Sequence, residues 1–295
     1  MSRDYSDFST RSSSAAQGVG EWRARSWKES LSRGTWQLLA LPLLAFLTLP
    51  LLALFWRTSP VSFFAEFNQK QVLQAIELSF VTSTATTVIT LILGTPVAYL
   101  LSQRRFRLHR IVDTLIDLPT VLPPSVAGVA LLMAFGRKGL LGPVWEEMGI
   151  SIPFTVTAVI LAQTFIASPF YVKAATLGFA AIDPELKQAA ALDGASRWQI
   201  FRHIILPLSW MSLLSGSVMA WARALGEFGA TIIFAGNFPG RTQTMPLAIY
   251  IGFEIDLNIA LTLSIILVCI SFLTLIIVKG VLYHRLDDTQ ESDRL

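Results

Sequence analysis

The sequence predicts an all-α membrane protein with about six transmembrane helices, and three observations support this fold class. First, 53% of the 295 residues are hydrophobic and only 15% are charged, whereas soluble domains carry about 25% charged residues. Second, the apolar residues gather in segments of about 20 or more, the length that crosses a roughly 30 Å hydrocarbon core as a helix. Third, lysine and arginine are distributed very unequally between the segments that connect these spans.

Six segments are long and apolar enough to span a membrane. The first has a tryptophan at each end, where interfacial aromatics belong, and the second contains "TSTATT", small residues that let helices approach closely. The third is interrupted by "LPTVLPPSVAG", in which three prolines must break the helix. Broken helices are tolerated where the backbone lines a cavity or packs on protein, and a packing kink remains an alternative. In order, the predicted spans are 36–56, 72–101, 111–135, 154–181, 208–235 and 255–278.

The distribution of positive charge predicts the orientation of the chain. Sixteen Lys and Arg residues lie in the two terminal segments and in the second and fourth connections, against five in the other connections. The positive-inside rule therefore places both termini in the cytoplasm, which an even number of spans also requires. The predicted organisation is a flexible cytoplasmic tail over 1–35, a transmembrane domain over 36–279 and a short cytoplasmic tail over 280–295.

Composition and motifs exclude several classes of function. The single cysteine, Cys269, excludes a disulfide framework and a Cys-based metal site. The net charge of +3 is too small to indicate nucleic acid as a partner. The chain has no G-x-x-x-x-G-K-[ST] phosphate-binding motif, no nucleophile–base pair and no metal-binding cluster within a span. We therefore expect no catalytic residues, no metal and no enzyme activity in this chain.

The most polar passage in the second half of the chain is a predicted cytoplasmic loop over 183–207. Asp183, followed by proline, is typical of a helix start, and Gly194 is typical of a helix end. Ser196 and Gln199 have the spacing of a capping box that opens a second short helix. Pro207 then marks the predicted entry to the fifth span. From the residues alone, an amphipathic connector lying on the bilayer explains this pattern equally well.

A resemblance decides between these interpretations. The stretch "QAAALDGASRWQIFRHIILP" resembles the signature loop of ABC importer permeases, which is Glu-Ala-Ala, three residues, Gly, nine residues, Ile-x-Leu-Pro. Only the first position departs, because glutamine stands where glutamate is usual, and this puts a charge-dependent contact there in doubt. The resemblance implies the type I ABC importer permease architecture, with this loop docked on an ATP-binding subunit. The matching residues are Gln188, Ala189, Ala190, Gly194, Ile204, Leu206 and Pro207.

Two further stretches narrow the resemblance to one substrate class. "LPTVLPPSVAGVALLMAFGRKGLLG" and "GEFGATIIFAGNFPGRTQTMPLAIY" resemble permeases of molybdate and tungstate importers, and sulfate or thiosulfate permeases are close relatives with a similar layout. The resemblance implies a bacterial inner-membrane homodimer with two ABC ATP-binding subunits and an extracytoplasmic oxyanion-binding protein. ATP and Mg would be bound by the partner ATPase, so that this chain holds no cofactor.

Polar and helix-breaking residues inside the spans are the candidates for the pathway or for the subunit interface. Arg223 and Glu227 lie four residues apart and can pair on one helix face, and Gly226 and Gly229 permit the close approach of another helix. Two interpretations fit this pattern. The two residues can form an ion pair that neutralises its own charges at a helix–helix interface, or this helix face can border the transport pathway. A rival class, an ion-coupled secondary transporter, would use Glu227 and Glu77 as coupling sites but leaves the loop spacing unexplained. The candidates are Pro123, Pro124, Ser125, Arg223, Glu227 and Gly229.

Overall fold

The computed structural model describes residues 38–103 and 108–292, with side chains to residue 280, and every regular element within these ranges is helical. The chain divides into two compact units, residues 1–57 and 58–295. The described part of the first unit is one helix, α1 (Leu38–Arg57), whose apolar side chains are almost all exposed. Exposed apolar side chains are expected of a helix that faces lipid. The predicted tail over 1–35 lies outside the described residues.

The second unit contains four kinds of helical element: long apolar helices, bent pairs, short surface helices and one π-helical turn. Two long helices, α3 and α7, pack against each other and against α11, and α14 is the longest helix. With α1, these give four straight candidate spans, or six when each of two bent pairs counts as one span. The prediction of about six spans is therefore confirmed. In order, the helices are α2 (Pro60–Phe67), α3 (Lys70–Ser102), α4 (His109–Val121), α5 (Pro124–Phe135), α6 (Gly142–Glu147), α7 (Val156–Ala180), α8 (Pro184–Leu192), α9 (Arg197–Ile200), a π-helical turn (Phe201–Ile205), α10 (Leu206–Leu208), α11 (Trp210–Leu225), α12 (Gly229–Phe234), α13 (Met245–Ile255) and α14 (Leu257–Ser292).

The predicted interruption of the third span is confirmed at Pro123 and Pro124, but it is wrong at Pro119, which lies inside α4. α4 and α5 meet at an angle of 118°, and the backbone is extended at Leu122 and Pro123. Proline has no backbone N–H and its ring clashes with the preceding turn, so consecutive prolines cannot continue a helix. α5 begins again at Pro124 because the first turn of a helix does not use that N–H.

The predicted fifth span over 208–235 is wrong as a single helix. α9, the π-helical turn and α10 form one run that bends by 70° into α11, and the two halves are long enough to cross a membrane only when they count as one span. α11 ends at Leu225, three residues are non-helical, and α12 follows as a separate helix of six residues. The sequence analysis also did not predict α13, an apolar helix of 11 residues that is too short to cross a membrane.

The last helix extends beyond the last span. The candidate span is Leu257–Gly280, close to the predicted 255–278, and α14 continues without a break to Ser292, so most of the predicted tail over 280–295 is helical. No proline or further glycine follows Gly280, so no helix-breaking residue ends the helix there.

Small and hydroxylated residues make up most of the buried face of α3. A Cβ atom added at Gly94 in α3 would lie 3.0 Å from a ring carbon of Tyr171 in α7. Thr82, Ser83 and Thr86 of "TSTATT" are buried, and the Thr86 hydroxyl lies 3.1 Å from Oε1 of Gln163 in α7. The predicted close approach at this segment is confirmed, and it follows the rule that helices in lipid associate through small and hydrogen-bonding side chains.

Candidate functional site

The polar loop over 183–207 begins as a capped helix on the end of α7. Oδ1 of Asp183 accepts a hydrogen bond from the backbone N–H of Glu185 at 2.8 Å, which confirms the predicted N-cap. α8 then ends at Leu192, and Gly194 has a φ of +86° with open space around it. Only glycine adopts this left-handed conformation without strain. The predicted bend at Gly194 is therefore confirmed.

The second helix of the loop starts at the predicted capping box. The Ser196 N–H donates to Oε1 of Gln199 at 2.8 Å, and the Gln199 N–H donates to Oγ of Ser196 at 3.3 Å. The helix does not stop at Pro207, however, because the preceding turn widens and the N–H of Leu206 donates to the carbonyl of Phe201, five residues back. A π-turn of this kind accommodates a proline that would otherwise disrupt the helix. The bend into α11 falls at Ser209, so the predicted entry at Pro207 is wrong by two residues.

One side of the loop packs on the core of the second unit, and the other side is exposed. Ala190, Ala195 and Ile204 pack on the core cluster that includes α7, whereas Leu192 and Trp198 are 89% and 65% exposed. The loop therefore presents large apolar side chains on a framework that packs against the core cluster containing α7 residues. The remaining signature residues divide in the same way, with Gln188, Ala189, Gly194 and Pro207 exposed and Leu206 half-buried.

A shallow cavity of ≈ 340 Å³ lies at the bend of the loop. Gly194 and Ala195 form one wall, and Gln199 and His203 of the second helix form the other. Because Gly194 carries no side chain, the cavity opens directly onto backbone. The loop thus offers a concave surface as well as exposed apolar side chains.

The second group of candidates lies where two helix breaks meet. A Cβ atom added at Gly229 would lie 2.5 Å from Cβ of Pro124, and one added at Gly128 would lie 2.8 Å from Cβ of Ile233. α12 therefore packs directly on the start of α5, and the prediction of close helix approach is confirmed at Gly229. It is wrong at Gly226, where an added Cβ would meet only the Ala222 carbonyl oxygen of the same helix, at 3.7 Å. Pro123, Pro124 and Ser125 keep exposed surface in the single chain, so their assignment to the pathway or interface stays a prediction.

The predicted pairing of Arg223 with Glu227 is confirmed. Nη2 of Arg223 lies 2.8 Å from Oε2 of Glu227, whose side chain is 1% exposed. This contact is a close ion pair, although its angles are not those of a hydrogen bond. Oε1 of Glu227 accepts from the N–H of Ala230 at 2.9 Å, so the carboxylate also fixes the first turn of α12. Arg223 itself is 31% exposed, and its outer face remains open to a partner or to water.

Sequence reasoning missed a third charged group. Nζ of Lys173 in α7 lies 2.6 Å from Oδ1 of Asp113 and 2.8 Å from Oδ2 of Asp117, both in α4. The available signal was the spacing of four residues between the two aspartates, which places both on one helix face. Among the described residues, no group of three or more His, Cys, Asp or Glu side chains is placed to hold a metal ion.

Comparison with known proteins gives the family. Residues 91–287 match the family described as binding-protein-dependent transport system inner membrane component. This chain belongs to that family. It is 41% identical over 233 residues to the molybdenum transport system permease protein ModB of Mycobacterium tuberculosis, covering 79% of this chain and 88% of that protein. It is 40% identical over 208 residues to the probable transport system permease protein NifC of Clostridium pasteurianum, covering 70% of this chain and 73% of that protein.

The ModB protein of Escherichia coli K12 is 40% identical over 178 residues, covering 60% of this chain and 78% of that protein. Solved structures share the fold at lower identity. A chain of the bacterial ABC transporter involved in the import of alginate aligns with a TM-score of 0.69 at 17% identity, over 87% of this chain and 98% of that chain. A chain of the MetNI methionine ABC transporter aligns with a TM-score of 0.56 at 18% identity, over 72% and 95%. The predicted architecture, an all-α multi-pass permease of the ABC importer type, is therefore confirmed.

Proposed function

We propose that this chain is the transmembrane permease subunit of an ATP-driven ABC importer for molybdate or tungstate. Relatives that share about two-fifths of its residues over most of their length are named molybdenum transport permeases. The observation that carries the proposal is the loop over 183–207, which has the signature spacing, a glycine bend with φ +86° and exposed apolar side chains. Sulfate or thiosulfate is the alternative cargo of the same machinery.

The loop has an exposed face that a partner subunit can bind and a buried face that connects it to the membrane-spanning helices. Leu192 and Trp198 are the apolar contacts that an ATP-binding subunit would cover, since a patch of this kind is otherwise costly in water. The capping box holds α9 to the bend, and Ile205, which is 2% exposed, fixes the following turn in the core. A partner that moves the loop therefore moves α7 and the start of α11 with it. This movement would switch the pathway between its inward-open and outward-open forms.

The proposal includes the assembly. Two copies of this chain would form the pathway in the bacterial inner membrane, with an ATP-binding subunit on each loop and an extracytoplasmic oxyanion-binding protein on the opposite face. ATP and Mg are bound by the partner ATPase, and this chain supplies no catalytic residue. The rival use of Glu227 as an ion-coupling carboxylate is disfavoured, because that side chain is buried against Arg223 and the Ala230 N–H.

The test uses the whole complex in proteoliposomes, with Gly194→Val as the informative variant. A β-branched residue at φ +86° strains the bend, so we expect the variant to lose co-purification with the ATPase and ATP-dependent molybdate uptake. Gly149→Val is the matched control. Gly149 has a φ of +70° and equally open surroundings, but it lies outside the loop, so both activities should persist.

Two results would contradict the proposal. One is uptake of molybdate that a proton gradient drives in vesicles without ATP. The other is full ATPase binding and uptake by Gly194→Val. Competition by tungstate and sulfate, measured through the partner binding protein, distinguishes the cargoes.

A further inference from the structure

We infer that Lys173 is a positioning residue that ties α4 to α7 and thereby carries the movement of the loop over 183–207 to the helix break at Pro123. The inference rests on the proposed function. It starts from two ion pairs, since Nζ of Lys173 lies 2.6 Å from Asp113 and 2.8 Å from Asp117. One ammonium group with three donors satisfies two carboxylates that stand one helical turn apart on α4.

The position of Lys173 along α7 places these charges inside the predicted fourth span. Lys173 is seven residues before the last residue of α7, Ala180, which is about 10 Å along the helix. The three side chains are 35%, 41% and 45% exposed in the single chain. Ionised side chains at such a depth face a water-filled cavity or another protein surface, rather than lipid. The cluster therefore lies on a functional face of the bundle.

The ion pairs act where few other forces hold α4. Among the described residues, they are the salt bridges that join two separate helices, since Arg223 and Glu227 are neighbours along one segment. Val112 and Ile116 of α4 pack only partly buried against the core. Because each of the three side chains is 35% or more exposed, solvent screens these pairs, and their role is to position α4 on α7 more than to add stability. Removing the lysine would leave α4 attached by apolar contacts and, at its first residue, by the hydrogen bond of 2.9 Å between Nε2 of His109 and the Leu101 carbonyl of α3.

A continuous structural path leads from the loop to the break. α8 starts four residues after α7 ends, and Nζ of Lys187 in α8 donates to the Phe179 carbonyl of α7 at 3.4 Å. α7 carries Lys173, and α4 leads directly to the extended residues before Pro124. When the loop moves, α7 pulls on α4 through the ion pairs. The angle between α4 and α5 is then the quantity that changes.

The experiment uses the reconstituted complex and measures coupling, that is, the amount of molybdate transported per ATP hydrolysed, which does not depend on how much protein folds. Lys173→Met removes the charge but keeps a long apolar stem. We expect it to reach the membrane, to retain its ATPase partner and to hydrolyse ATP, while molybdate transported per ATP falls about tenfold. Lys173→Arg should retain most coupling because its fork still reaches both carboxylates. Leu177→Met is the control, because Leu177 is one turn further on the same face and 71% exposed.

A charge exchange provides the second arm. Lys173→Asp alone places three carboxylates together and should abolish coupling, whereas Asp113→Lys combined with Lys173→Asp restores one cation and two anions and should recover much of it. The inference is wrong if Lys173→Met transports as many ions per ATP as the unaltered protein. It is also wrong if the exchange is no better than Lys173→Asp. A complex of the unaltered protein that shows no ATP-dependent uptake would instead overturn the proposed function.

Discussion

Two glycines interrupt helices in this protein for different physical reasons. Gly194 in the loop over 183–207 has a φ of +86° and open space around it, so its backbone conformation favours glycine. Gly229 after α11 has no unusual φ, but an added Cβ would lie 2.5 Å from Pro124, so its lack of volume is what counts. The loop is thus defined by local conformation, and the break is defined by packing between segments distant in the sequence. Substitutions in the loop should therefore act locally, through backbone conformation, whereas substitutions at the break should destabilise the packing between distant segments.

The largest expected effect is at Glu227, whose carboxylate serves both the ion pair and the start of α12. Glu227→Ala leaves Arg223 and the Ala230 N–H without their partner, which should lower the free energy of unfolding by about 3 kcal/mol, the lower end for breaking a buried pair. Thermal unfolding of the detergent-solubilised protein measures this. Glu185→Ala in the exposed first turn of α8 is the control and should cost less than about 1 kcal/mol. An equal loss of unfolding free energy in the two variants would contradict the expected difference between the packed break and the exposed loop.

The next effect is steric. Gly229→Ala forces a methyl group against Pro124 and should destabilise the protein by about 2 kcal/mol, as overpacked cores are. Gly226→Ala is matched, since its Cβ would find its nearest neighbour, the Ala222 carbonyl oxygen, at 3.7 Å. We expect a clear drop in unfolding temperature for the first variant and a small change for the second. A similar drop in both would mean that the break needs flexibility at these positions, rather than small volume.

A smaller, local effect is expected in the loop. Ser196→Ala removes the capping box and should lower the free energy of opening of α9 by about 1 kcal/mol, which is roughly fivefold faster amide exchange there. Thr155→Ala removes a comparable cap from α7, where Oγ1 accepts from the Ala158 N–H at 3.4 Å. Hydrogen exchange followed by mass spectrometry should show faster exchange at each cap separately. If Ser196→Ala also speeds amide exchange throughout α7, the conformation of the loop is not determined locally.

The smallest expected effect is a dependence of the protein's stability on pH that arises from Glu66 in α2. Partial burial and the neighbouring Asp256 carboxylate raise the pKa of Glu66 above its ordinary value of 4.5. The folded protein therefore keeps this proton to higher pH than the unfolded chain does, so stability is lost as the pH rises through that range. Glu66→Gln should stabilise the protein by under about 0.5 kcal/mol near pH 7, and by less near pH 4. A larger gain at the lower pH would reverse the assigned sign.

The sequence predicted those features whose cause is local. Hydropathy predicted the long helices, consecutive prolines predicted the break before α5, and cap residues predicted both ends of the bend at Gly194. α13 was missed because 11 apolar residues do not span a membrane and carry no periodic signal for a buried helix. The pairing of Lys173 with Asp113 joins residues 60 apart. Only the packing of α4 on α7 brings such charges together, and no pattern within either helix specifies it.

The length of α14 has a consequence for watching this protein at work. A helix of 36 residues measures about 54 Å, against a hydrocarbon thickness of roughly 30 Å. Its far end must stand clear of the bilayer, where a tilt of about 10° would displace it by about 9 Å. A spin label or fluorophore on that end would turn a small rotation of the bundle into a distance change large enough to read in real time.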